Sequence, residues 1–344
     1  LVERHQLQFV TTWTASDLFP SDHPLNLGII GMSGQRGANK AVFDADMLLC
    51  LGTHLSIPHT TTLFESYAPQ AYKTVVNIDA DQLDNLNVHF DQRIHADLGD
   101  YIDWISARLE GDFHWENGAK FASENWYEPQ KAERPNSNLV IRRLTESIRQ
   151  PFCLIVDGGG TALYAGFQSA RLKTGDRIIC SSAISAMGTG LAETVGVAMS
   201  GRFPRSVCII GDGSLLMNVQ DLETIRQNNI DVVILVVNNN GYLAIRQTQK
   251  EFLGGRFFGT HPDWNLTIPS IASIAQAFSI PHVLLDRSAD IEGVVASLVG
   301  SRGPLICEIV VDDDQQVLFK QGYQSNPDGT FQPMPLVEMA PFSQ

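Results

Sequence analysis

From residue 138 onward the chain alternates two kinds of hydrophobic pattern. NLVIRRLTESIRQ spaces its apolar residues as an amphipathic helix does, at three and four positions. PFCLIVDGGG, RIICSS, SVCIIGDG, DVVILVVNNN, HVLLD and PLICEIVVD are instead short unbroken apolar runs rich in β-branched residues. Unbroken rather than alternating runs predict strands covered on both faces, as in a parallel sheet with helices on each side. Helices are predicted between them at about 161–170, 189–200, 215–228, 268–279 and 289–299. Residues 1–110 repeat the alternation, with QFVTTW, DMLLCLG and KTVVNID as strands and ANKAVFDAD and DLGDYIDWISARL as helices. Residues 111–137 carry little periodicity and several breakers, so they read as a linker. The expected architecture is α/β, two doubly wound parallel-sheet domains over 1–110 and 138–344. The opening LVERHQLQFVTTW reads as a helix end running into a strand, which suggests a first domain truncated at its N-terminal side.

Composition narrows the classes. At 344 residues, 44% hydrophobic and 18% charged, the chain has material for about two cores. A net charge of −14 disfavours a nucleic-acid or anionic-membrane surface. No apolar run approaches membrane-spanning length and no secretory leader is visible, so a cytoplasmic location is expected. The five cysteines show no metal spacing, and four lie in apolar runs, as buried thiols of a reducing compartment do.

The chemistry concentrates at two strand ends. SVCIIGDG runs into GDGS (Gly211, Asp212, Gly213, Ser214), and DVVILVV runs into NNNG (Asn238 to Gly241). The helix between them makes one βαβ unit with parallel strands and a right-handed crossover. If the strands are neighbours, their carboxyl ends lie about 4.8 Å apart. Asp212 and an amide of the run can then share one hard divalent cation, whose oxygen ligands lie at about 2.1 Å. One carboxylate and one neutral amide leave such an ion positive, and a phosphate completes it. A helix opening at Ser214 adds free N–H groups.

GDGS followed by NNNG at this spacing resembles the signature of thiamine-diphosphate-dependent enzymes. The stretch HPLNLGIIGMSGQRGANKAVFDADMLLCLGTHLS is similar to the central domain of acetolactate-synthase-like members. SAISAMGTGLAETVGVAM resembles their segment under the thiazolium ring, and DGTFQPMPLVEMAPF their C-terminal tail. The resemblance implies Mg²⁺ held by the side chains of Asp212 and Asn239 and the carbonyl of Gly241. It implies Gly211, Gly213, Ser214 and Tyr242 at the cofactor, with Gly160, Thr161 and Ala162 of DGGGTA on the other side of its diphosphate. Met187 is implied beneath the folded cofactor and Ser185, through its carbonyl, at the pyrimidine amino group. The implied activity is decarboxylation or carboligation of a 2-oxo acid, in a homodimer or homotetramer.

The match departs from the family at three points. The family's activating glutamate lies in an N-terminal domain that this sequence does not show, so no catalytic acid or base is assigned, and the fragment alone is expected to be inactive. Glu193 and Glu223 are read as solvent-facing or interface residues. Thr248 stands where acetolactate synthases carry the tryptophan that selects the acceptor. LGTHLSIPHTTTLF lacks the arginine–aspartate cluster that accompanies FAD, which weakens an FAD assignment. GMSGQRG is not the dinucleotide fingerprint. The competing reading is a non-catalytic nucleotide- or FAD-binding domain pair.

Overall fold

The computed structural model describes residues 1–110, 118–126, 128–129, 131–181, 184–316, 319–327 and 330–340. The chain divides into two compact units, one of 1–16, 22–127 and 318–344, the other of 17–21 and 128–317.

In the first unit, β1 (Phe9–Thr11) pairs with β2 (Asn26–Ile29). A separate parallel sheet has the order β3-β4-β5, formed by Met47–Leu51, Tyr72–Asn77 and Gln92–His95. The predicted helices fall at Arg36–Phe43 and Leu98–Ser106, the second capped by the Asp97 carboxylate accepting from the amides of Gly99 and Asp100. The core gathers Ile30, Val42, Cys50, Tyr67, Val75 and Phe90. β5 was not visible as a strand, because its sequence QRIH has no apolar run and its residues remain largely exposed.

Two segments join this unit that the linear reading placed elsewhere. Part of the 111–137 stretch lies outside the described residues; the rest includes a helix at Gly118–Ser123. Buried Asn125 ties that stretch down, donating to the Leu27 carbonyl at 2.5 Å and accepting from the Ala38 amide at 3.2 Å. The tail also belongs here. Gln321 donates to Thr61 Oγ1 at 2.8 Å, and Arg36 to the Met339 carbonyl at 3.1 Å. Such polar contacts between sequence-distant residues leave no periodic trace.

The second unit is a six-stranded parallel sheet: β6 (Cys153–Val156), β7 (Arg177–Ile179), β8 (Ser206–Gly211), β9 (Val232–Asn238), β10 (His282–Leu285) and β11 (Leu305–Val310). Their spatial order is β10-β11-β9-β8-β6-β7. β9 is buried from Val232 to Val237, which explains its unbroken apolar sequence. One face packs Ile155, Cys208, Ile210, Ile234 and Val236 against Leu191, Leu222, Ile225 and Ile271. Arg205, only 2% exposed, caps the helix Ile291–Gly300. It donates to the carbonyls of Leu298 (2.6 Å), Val299 (3.1 Å) and Ser301 (2.9 Å).

All five cysteines are free thiols, four of them buried, and burial pushes the thiols of Cys50, Cys153, Cys180 and Cys307 up to about 12. Among the described residues no helix is long and apolar enough to cross a membrane.

Candidate cofactor site at the sheet switch point

The strand order fixes where this unit can hold a ligand. From β6 the chain moves to β7 on one side, then returns to lay β8 on the other side of β6. The carboxyl ends of β6 and β8 therefore flank a topological switch point, the usual ligand crevice of an open α/β sheet. The glycine turns 158–160 and 211–213 leave those two ends.

Gly211 lies in register with Val237, so Asp212 leaves β8 beside the tip of β9. Its carboxylate is 1% exposed. Oδ1 accepts the Gly213 amide at 2.8 Å and Oδ2 the Gly241 amide at 2.9 Å. Burial pushes this acid up to about 6, against the pull of the amides of Gly213, Gly241 and Asn239 and of the Arg246 charge. The acid and the amide run thus meet at one place.

The three amides have three different fates. Asn238 donates to Glu308 at 2.6 Å, and exposed Asn240 donates to Asp313 at 3.2 Å. Asn239 is 4% exposed, and its Oδ1 is buried without a hydrogen-bond partner. A buried amide oxygen without a donor is costly, by about 1–3 kcal/mol. A hard cation satisfies it, and the carboxylate of Asp212, with lone pairs beyond its two amide bonds, suits the same ion. Among the described residues no group of three or more His, Cys, Asp or Glu could hold a metal. The donor set here is instead one carboxylate, one amide oxygen and backbone. These residues fit a divalent cation bearing a diphosphate.

Arg246 holds the loop in place. It is 3% exposed and donates to the carbonyls of Thr260 (2.9 Å), Asn239 (3.2 Å) and Asp313. It lies on the helix Leu243–Phe252, which periodicity did not predict because the sequence LAIRQTQKEF is mostly polar.

The glycines let three further segments close on the same point. A Cβ at Gly159 would stand 2.5 Å from Met187 Cγ and 3.0 Å from Ser214 Oγ. One at Gly158 would stand 2.2 Å from the Ala186 carbonyl oxygen. One at Gly213 would stand 2.4 Å from the Tyr242 ring. The GGG turn, Met187, Ser214 and Tyr242 are therefore neighbours. Ser185 stands just before, in a left-handed conformation at φ 53°. Gly160 opens the helix Gly160–Ser169, with Thr161 7% and Ala162 0% exposed in its first turn. Ala162 can offer a ligand only backbone.

Two expectations need correction. The helix after GDGS is not a long one opening at Ser214. It is one turn at Asp212–Leu215, then a 3-10 turn, then Asp221–Gln227. Its dipole adds little, and the donors at this end are individual amides. Glu223 is exposed and pairs with Arg226 at 2.9 Å, but Glu193 is half-buried with Oε2 enclosed and unpartnered, so of the two alternatives the solvent-facing one does not hold for it. Burial pushes Glu193 up, with Asp157 adding to the effect. Asp157, at the tip of β6, was not singled out in the sequence. The signal was present, since an acid at a strand end before glycines is the same pattern as at 212.

The first unit has its own cleft of about 300 Å³ beyond β3 and β4, lined by His54, Ser56, Asp81, Gln82, Asn85 and Asn87 among others. None of its lining residues is a lysine or arginine that could neutralise a dinucleotide pyrophosphate.

Two stretches of the chain match a known protein family. Residues 158–309 match the C-terminal TPP-binding domain of thiamine pyrophosphate enzymes, and residues 1–105 match the central domain of the same enzymes. The chain belongs to the thiamine pyrophosphate enzyme family. Within that family it is similar to acetolactate synthases. It is 27% identical to acetolactate synthase 2, chloroplastic, of Zea mays, over 92% of this chain and 51% of that protein. The large subunit of acetolactate synthase isozyme 1 of Escherichia coli (strain K12) is 26% identical, over 92% and 56%. Acetolactate synthase 1, chloroplastic, of Oryza sativa subsp. japonica is 28% identical, over 92% and 51%. The chain spans about half the length of these relatives.

Proposed function

We propose that the second unit binds thiamine diphosphate through Mg²⁺, as part of an enzyme that decarboxylates or ligates 2-oxo acids. The observation that carries this reading is the pairing of buried Asp212 with the enclosed, unpartnered Oδ1 of Asn239 at two adjoining strand tips. These two groups and the Gly241 carbonyl hold the cation. Ser214, Gly211, Gly213, Gly160, Thr161 and Ala162 bind the diphosphate, largely through backbone. Met187 and Ser185 support and orient the ring portion, and Tyr242 closes the turn over Gly213. When bound, the cofactor supplies the activation that lets a 2-oxo acid lose CO₂. The protein orients it, keeps water from it and fixes its metal. Acetolactate synthase relatives support a 2-oxo acid substrate, and one of them, a large subunit, supports an assembly of several chains.

Thermal unfolding tests the reading. Thiamine diphosphate with Mg²⁺, at about a hundredfold excess over Kd, should raise the midpoint by about 5 °C or more. Asp212→Ala should fold and lose the Mg²⁺-dependent shift. A shift with FAD and none with thiamine diphosphate would instead support a dinucleotide-binding pair.

A further inference from the structure

Asp157 is the least exposed acid at the switch point, at 0%. It ends β6, held there by its own amide donating to the Ile209 carbonyl at 2.9 Å. Oδ1 accepts the Gly190 amide at 3.0 Å. The Ser214 hydroxyl and the amides of Gly188 and Gly159 lie close enough to favour its charged form, although Oδ2 makes no hydrogen bond of full geometry. Burial outweighs them and pushes the carboxyl up. Among the described residues no lysine or arginine forms an ion pair with it. A buried carboxyl with one oxygen left unpartnered is a costly arrangement to keep for packing alone.

Its partners indicate its role. Gly188 and Gly190 open the helix Thr189–Met199, directly after Met187 and strained Ser185. Gly190 approaches so closely that an added Cβ would stand 3.3 Å from Asp157 Cβ. Other anchors of this segment include the Glu193 carboxyl, which bonds Thr189, and several neutral groups. Asn218 donates to the Gly188 carbonyl at 2.8 Å, Thr189 to Ala186 at 3.3 Å, and Ser185 to Ser181 at 2.6 Å. The cation pair does not depend on this carboxylate, because Asp212 takes its bonds from Gly213 and Gly241.

We infer that Asp157 is a positioning residue that ties the ring-supporting segment 185–190 to the diphosphate-binding turn of β6, so that the two halves of one ligand are held in register. This inference rests on the function proposed above. It separates two parts of the ligand, a diphosphate gripped chiefly through the cation pair of Asp212 and Asn239 and a ring supported through the segment that Asp157 helps to anchor. Charge-assisted hydrogen bonds are roughly twice as strong as neutral ones, and Asp157→Asn removes the charge at nearly constant shape.

The test is titration calorimetry of the full chain with Mg²⁺ and either thiamine diphosphate or inorganic pyrophosphate. Asp157→Asn should weaken thiamine diphosphate by about tenfold or more and change pyrophosphate by less than about threefold. Met187→Ala should show the same selective loss, and the double variant should lose no more than the worse single variant, because both act through one segment. Equal weakening of both ligands in Asp157→Asn, or additive losses in the double variant, overturns the positioning role and leaves the functional reading standing. A wild type that binds neither ligand overturns both. If Asp157→Asn fails to fold, hydrogen exchange on the wild type decides: the Gly190 amide should be protected without ligand, and fast exchange there overturns the role.

Discussion

Gly213 shows how little room the site leaves. The Tyr242 ring occupies the space where any Cβ would stand, at 2.4 Å. Gly213→Ala must therefore displace the ring or the Asp212 turn, and thiamine diphosphate affinity should fall by at least tenfold, read by calorimetry. The sequence revealed the acid, the glycines and the amide run here. Pattern alone left the three amides equivalent and only the family resemblance singled out Asn239, because the partners of the other two, Glu308 and Asp313, lie 70 and 73 residues further on. His59 makes a separate prediction. It packs edge-on against the Trp13 ring at 5.3 Å and meets Ser56 at 3.1 Å. Burial, with the nearby His54, pulls it down from 6.5 to about 4. The unfolded chain therefore takes up this proton more readily than the folded one. The stability tied to His59 is full above pH 6.5 and is lost as pH falls toward 4. His59→Gln should flatten that part of the pH profile of denaturant unfolding, relative to wild type.

At the scale of elements, the apolar strands of the second unit were legible because burial on both faces forces a continuous hydrophobic sequence. Ile234, 0% exposed at the middle of β9, should cost about 2–5 kcal/mol on truncation to alanine, measured by urea unfolding. The strand and helix that were missed, β5 and Leu243–Phe252, have polar sequences whose place is set by what they pack against. Arg205 is a further case. Nothing in RFPRSVCII announces a helix cap, yet its fork closes the end of a helix about 90 residues later. Arg205→Met should destabilise the chain by about 3 kcal/mol, because several carbonyls lose their donor in a dry place. Arg205→Lys should recover little, since one ammonium cannot match the planar fork.

At the scale of the molecule, the α/β class and the order of motifs followed from pattern alone, whereas the placing of the tail with the first unit did not. The tail is held by scattered polar bonds, Gln321 to Thr61 and Arg36 to Met339, which have no period to detect. The family resemblance sets one expectation for the chain as a whole. With thiamine diphosphate and Mg²⁺ present, this chain by itself should bind cofactor and release no CO₂ from pyruvate, as a coupled assay would register. Measurable release would show that its own residues suffice for the first chemical step.

The buried sulfurs offer a way to watch the chain open. With their protons held so tightly, Cys50, Cys153 and Cys307 present almost no thiolate to an alkylating reagent near neutrality while the sheets stay closed. Each iodoacetamide adduct would then record an excursion out of the native state. Cys50 keeps that record for the first sheet, and Cys153 and Cys307 keep it for the second.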